Sequence, residues 1–390
     1  MQKRFFLNTL ALAVLGTGIA GNALAQDNKF KVGLVLSMTG SFASLGKQTE
    51  AGARLYMAQH GDTVAGKKIE LIVKDDTSVP DIAKRIAQEL VVNDKVNVLA
   101  GFLLTPAALA AAPIATQAKT PLITMAGASS SVTQASPYVL RTSFTVAQTA
   151  VGIADWAPKN GIKRVVTLVS DFTPGLDVEK FFGDRYTFNG GKVLDQLRVP
   201  LRNPDFAPFL QRVRDLSPDA VFVFVPAGAN AALMKQFAER GLDKAGIKLI
   251  GTGDITDDDI LNATGDVALG VVTSHQYSAS HNSALNKKFV ADFKKANNGL
   301  RPNFLAVAGY DGMRVIYEAA KAAKGGNGDA LLAAMKGQVF ESPRGPIFID
   351  AQTRELVQNI YIRKVERVNG ELYNTEFETI KDVKDPGKIR

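Results

Sequence analysis

From residue 30 onward, short runs of apolar and β-branched residues alternate with longer stretches in which apolar positions recur every three or four residues. The runs predict strands buried on both faces, and the stretches predict amphipathic helices. Strands are expected at Lys31–Ser37, Ile69–Lys74, Val96–Gly101, Leu122–Met125, Val165–Ser170, Val193–Val199, Ala220–Val225, Lys248–Gly251 and Gly270–Ser274. Helical periodicity fills the intervals, as in DIAKRIAQELVVND, PAALAAAPIATQAK, DFAPFLQRVRDL and NAALMKQFAERG. Apolar strands separated by such helices indicate α/β architecture with parallel sheets covered on both faces.

About four strand–helix units occupy residues 30–140, and about four more occupy 164–275. LRTSFTVAQTA, between them, reads as a strand leaving one half and a helix opening the other. After residue 275 come two long helices, near 284–298 and 304–324, and then the β-rich stretch Pro346–Lys364. The reading is two α/β lobes: 29–145 with 276–348, and 146–275 with 349–385. Ligands of such sheets lie beyond the carboxyl ends of the strands, so the expected site is the cleft between the lobes.

Composition moves residues 1–25 out of the fold. Lys3 and Arg4 precede a short apolar core, and Ala23-Leu24-Ala25 supplies small residues, the pattern of a secretory signal peptide cleaved after Ala25. The chain contains no cysteine, which excludes disulfides and thiol chemistry and suits a bacterial periplasm. Its formal net charge is +8, but Lys and Arg are interleaved with Asp and Glu. That distribution favours a solvated mixed-charge surface over nucleic-acid binding.

Catalytic patterns are scarce. In VGLVLSMTGSFASLGKQTEAG, five residues separate Gly40 from Gly46, and Gln48 follows Lys47, so the stretch fails as a P-loop. The three histidines, His60, His275 and His281, form no zinc motif, and GASSS lacks the closing glycine of a nucleophile elbow. GTGDIT lacks the third glycine of a dinucleotide loop. Consecutive Asp257, Asp258 and Asp259 at a helix start point in different directions, so neither a metal nor another cofactor is expected.

The strand-end loops suit binding better. Thr105 precedes Pro106 and an alanine-rich helix, leaving N–H groups and a hydroxyl for an anion, or simply capping the helix. ITMAGASSSVTQAS offers close backbone approach and the hydroxyls of Ser129, Ser130 and Ser131, or is an ordinary turn. VSDFTPGLD puts Phe172 at a strand end in the second half, and IGTGDITDDD puts Asp254 at another. An acid facing a hydroxyl-lined anion site suits a zwitterion; Asp254 equally suits a helix cap.

In that order, VGLVLSMTGSFASLGKQTEAGARLYM, IELIVKDDTSVPDIAKRIAQELV, TPAALAAAPIATQAKTPLITMAGASSSVT, AVFVFVPAGANAALMKQFAERGL and AVAGYDGMRVIYEAA resemble the periplasmic solute-binding proteins of leucine/isoleucine/valine type that serve ABC transporters. The resemblance implies the type I periplasmic binding fold: two Rossmann-like lobes joined by three crossovers, closing on a small ligand without catalysis. It places the carboxylate contact on Thr105 and loop contacts near Ala126, Gly127, Ser129 and Ser130. Apolar walls fall at Phe42 and Leu45. Closure would add Phe172, Asp254 or Tyr277. Leu45 and Pro226 stand where amino-acid binders commonly carry an aromatic residue, and Gly253 falls where the ammonium acceptor aligns. LTPAALAAAPIATQA with SDFTPGLD is similar to members that take aromatic carboxylates. The expected role is periplasmic capture of a carboxylate-bearing solute, a hydrophobic amino acid or an aromatic acid, by a monomer that delivers it to an inner-membrane permease. A ligand sensor for a membrane receptor and a secreted hydrolase are the rival readings.

Overall fold

The computed structural model describes residues 29–201, 204–225 and 228–388. The segment read as a signal peptide, and Pro226, lie outside the described residues. Strands β1 (Lys29–Leu36), β2 (Thr63–Val64), β3 (Lys67–Asp75), β4 (Val98–Gly101), β5 (Leu122–Thr124) and β6 (Val139–Arg141) form one sheet in the order β2–β3–β1–β4–β5–β6. Apart from the short β2–β3 pair, its strands are parallel. Phe30, Val32, Leu34, Val35 and Leu36 of β1 are fully buried, as expected for a central strand with helices on both faces.

The second sheet contains β7 (Arg164–Ser170), β8 (Lys192–Val199), β9 (Ala220–Phe224), β10 (Lys248–Thr252), β11 (Val272–His275), β12 (Val339–Ser342), β13 (Gly345–Ile349), β14 (Leu356–Val368) and β15 (Glu371–Val383). Its order is β12–β13–β14–β11–β10–β9–β7–β8, with β15 paired to β14. From β11 to β7 and β8 the pairing is parallel; the four carboxyl-terminal strands add antiparallel pairs. β12 and β13 are hydrogen-bonded into this sheet, yet Phe340, Ile347 and Ile349 pack in the large core cluster that contains β1.

Helix Phe304–Ala322 returns to the first sheet and lies against helix Ala43–His60. A Cβ on Gly52 would come within 1.9 Å of the Ala306 carbonyl oxygen, and one on Gly309 within 2.1 Å of that of Thr49. Only glycine permits backbones this close. Three fully buried arginines, Arg141, Arg344 and Arg363, stand near the passages between the sheets. Arg344 donates to the carbonyls of Thr142 (2.5 Å) and Ser143 (3.2 Å) and pairs with buried Asp311 (2.7 Å). That places a paired charge on the first passage, where its removal would strand the partner.

Candidate functional site

Where the carboxyl ends of the two sheets face one another, the chain encloses a small cavity of about 60 Å³. Its first-sheet wall comes from the loops after β1, β4 and β5: Phe42 and Leu45, then Leu103, Leu104 and Thr105, then Ala126 and Ala128. Phe172 and Pro174 follow β7, Phe224 ends β9, and Asp254 follows β10. Phe144 and Val146 enter from the passage after β6, and Phe304 and Leu305 from the start of the returning helix. Phe172 and Phe224 lie nearly parallel with centroids 6.1 Å apart, while Phe144 and Phe304 meet edge to face at 5.5 Å. Five phenyl rings in one small wall make a slot suited to a flat apolar body.

The polar groups lie at opposite walls. Helix Thr105–Ala118 starts at Thr105 itself, with Leu104 as N-cap and no side-chain cap bond, so Thr105 is not capping its helix. Its Oγ1 accepts from the Ser129 N–H (3.2 Å), which leaves its own O–H as a donor into the cavity beside the first-turn N–H groups. Just upstream, Phe102 adopts a left-handed backbone (φ 51°), a conformation uncommon for an aromatic residue, and brings Leu103 and Leu104 to the wall. Among the described residues, no Lys, Arg or His lines the cavity. An anion bound here would therefore be held by neutral donors.

Asp254 is the sole ionisable residue in the wall among the described residues. It lies in a short 3-10 turn, Gly253–Thr256, and the next helix is only Leu261–Thr264, so it caps no helix at 257. Thr252 Oγ1 donates to its Oδ2 (2.9 Å), and Asn230 Nδ2 donates to its carbonyl (3.2 Å). Burial pushes the carboxyl from its ordinary 3.8 up to about 6, against the lowering effect of the Thr252 bond. Between these values the folded protein binds more protons than the unfolded chain, so stability falls as pH rises through that window. Asp254→Asn is thus expected to melt above the parent near neutral pH, the gap closing as pH drops from about 6 towards 4. Thermal melts across that range check this, and a gap independent of pH would rule it out.

Of the residues singled out in the sequence, Phe42, Leu45, Thr105, Ala126, Phe172 and Asp254 line this cavity, and Gly127, Ser129, Ser130 and Tyr277 do not. The Gly127 N–H donates to Thr124 Oγ1 (3.0 Å), and Ser130 Oγ donates to Asp385 (2.8 Å). Tyr277 is buried elsewhere, its hydroxyl donating to Asn286 (3.1 Å). Ser129 Oγ donates across the cleft to Asp177 on helix Thr173–Phe188, and Ser44 Oγ does likewise to Asp259 (2.6 Å). Asn303 adds a third crossing bond, to Asp257 (2.9 Å), while Asp258 accepts from Asn374 and from the Ala279 N–H. The three consecutive aspartates thus diverge to separate partners, Asp257 and Asp259 to residues across the cleft, with no common centre among them.

Phe144, Phe224 and Phe304 escaped the sequence reading. Phe144 had a signal, since it lies in the segment read as passing between lobes; Phe224 sits in an apolar strand and looks like any core residue. Arg141 was also missed. From the end of β6 it donates to the carbonyls of Gly127, Ser129 (2.8 Å) and Phe144 (3.2 Å), and so holds the loop beside Thr105. His275 is fully buried behind the slot, edge-on to Phe144 and Phe304; burial and the nearby Arg363 charge hold its pKa well below the usual range, keeping it neutral.

A model of the periplasmic binding protein family matches residues 29–371. The chain belongs to this family. The Leu/Ile/Val-binding protein homolog 6 of Brucella abortus (strain 2308) is 41% identical over 98% of this chain and 99% of its own length. A solute-binding protein of an ABC transporter from Rhodopseudomonas palustris BisB5, solved with 3,4-dihydroxybenzoic acid, is 62% identical. It covers 93% of this chain and all of its own, with a TM-score of 0.91. Another from Rhodopseudomonas palustris HaA2, solved with p-hydroxybenzoic acid, is 40% identical, covers 92% and 99%, and has a TM-score of 0.89. This periplasmic binding protein is accordingly the solute-binding component of an ABC transporter, with two type I lobes, and not an enzyme.

Proposed function

We propose that this periplasmic binding protein captures an aromatic monocarboxylate of benzoate type. The supporting observation is the slot itself: five phenyl rings around a small cavity, with neutral donors at Thr105 on one wall. The two Rhodopseudomonas palustris proteins, 62% and 40% identical, were solved with ring-hydroxylated benzoic acids. On this reading the ring lies between the phenyl walls, and the carboxylate accepts from Thr105 and from N–H groups of the helix start and of Ala126 and Ala128, the loop residues that line the cavity. Closure excludes water and strengthens those bonds. Residues 29–145 with 276–348 form one lobe and 146–275 with 349–385 the other, with the β12–β13 hairpin at their seam. The mature chain begins after Ala25, acts as a monomer, and delivers its ligand to an inner-membrane permease.

A branched-chain or other hydrophobic amino acid is the second reading. It is favoured by the Brucella relative's name and by Asp254, which would accept an ammonium group. A thermal-shift series with leucine, phenylalanine, benzoate and 4-hydroxybenzoate separates the two. A ligand at one hundred times its Kd stabilises the folded state by about 2.7 kcal/mol. Shifts with the aromatic acids and none with leucine are expected; the reverse pattern transfers the assignment to amino acids.

A further inference from the structure

Resting on the aromatic-acid reading, we infer that Asp254 reads a hydrogen-bond donor at the far end of the ring, so that the preferred ligands are phenolic benzoates and a second carboxylate at that end is rejected. The two sheets bring chemically opposite groups to the cavity. At the first-sheet wall, the Thr105 hydroxyl and the helix start offer donors. At the other wall stands Asp254, and an ionised carboxylate only accepts. Between them the described wall residues carry no ionisable side chain. A ligand satisfying both walls must accept at one, donate at the other, and be apolar between.

Asp254 is held in place for this task. Thr252 and Asn230 fix its side chain and carbonyl, and Arg363 Nη2 donates to the carbonyl of Gly253 (3.2 Å). At Gly253 the backbone is pressed against the wall behind it: a Cβ there would sit 2.4 Å from His275 Cγ. The turn has no room to retreat, so Asp254 stays at the cavity. A carboxylate left in a phenyl-lined slot without a donor is costly, whereas a phenol O–H gives it a charge-assisted bond. Sites built around such a bond discriminate strongly against analogues that lack the hydroxyl.

Titration calorimetry on the mature chain tests this with benzoate, 4-hydroxybenzoate, 4-methoxybenzoate, terephthalate and leucine. The parent should bind 4-hydroxybenzoate at least about tenfold more tightly than benzoate or 4-methoxybenzoate, and terephthalate weakest of all. In Asp254→Leu the hydroxyl preference should fall to within about threefold, with benzoate still bound. In Asp254→Asn, which keeps the shape of the side chain, terephthalate should gain at least about tenfold as the like charge is removed. Equal parental affinity for benzoate and 4-hydroxybenzoate overturns the role of Asp254 and leaves the aromatic-acid reading standing. A hydroxyl preference that survives in Asp254→Leu does the same. Binding of leucine with no aromatic acid bound overturns both.

Discussion

Thr105→Val should weaken ligand binding by roughly ten- to one-hundredfold while the protein stays folded. Valine keeps the shape of threonine and deletes one donor, and a hydrogen bond to a charged group contributes about 1.5–3 kcal/mol. The loss should be large here because, among the described residues, no cationic side chain lines the cavity to take over a carboxylate. The same change strips the Ser129 N–H of its acceptor, so a modest fall in melting temperature should accompany it. Thr105→Ser keeps the hydroxyl and should recover most of the affinity. Calorimetric Kd values for the three proteins decide the matter; an unchanged Kd in the valine variant would remove Thr105 from contact with ligand.

Glu355→Ala should be among the most destabilising single changes in the chain. Arg141 is wholly buried, Glu355 is 2% exposed, and the two meet at 2.5 Å. Removing one member of such a pair strands the other charge at a cost of about 3–5 kcal/mol. The double replacement Arg141→Met with Glu355→Leu removes both charges and should restore much of the stability. It should not restore binding, because the carbonyls of Gly127 and Ser129 lose the guanidinium that positions their loop. Denaturant midpoints and ligand titrations on the single and double variants separate these effects. Full binding in the double variant would show that the loop holds its shape without Arg141.

The parallel strands were legible because burial on both faces leaves unbroken apolar runs. Lys31–Ser37 was expected and Lys29–Leu36 observed. The last strand, Glu371–Val383, was not read. It pairs only with Leu356–Val368, and most of its residues are exposed or half-buried, so its sequence carries weak alternation. Loops that follow strands announced Phe42, Thr105, Phe172 and Asp254, since the architecture fixes where strand ends lie. Phe304 gave no such signal, because it reaches the slot only when helix Phe304–Ala322 folds back onto helix Ala43–His60. Arg141 was silent for another reason: a lone arginine ending a short strand reads as surface until its carbonyl partners are brought round it.

That no basic side chain lines the slot among the described residues bears on background noise in a compartment full of small anions. A lysine or arginine would raise the affinity for every carboxylate, acetate and lactate included. Neutral donors make the charged end nearly indifferent among them, and the phenyl walls then decide. A ring burying roughly 150 Å² at about 25 cal/mol per Å² gains some 3–4 kcal/mol. That is a several-hundredfold advantage over a short-chain acid presenting the same carboxylate. For an aromatic-acid receptor, such a design lets the ring, and not the charge, decide which acid is held.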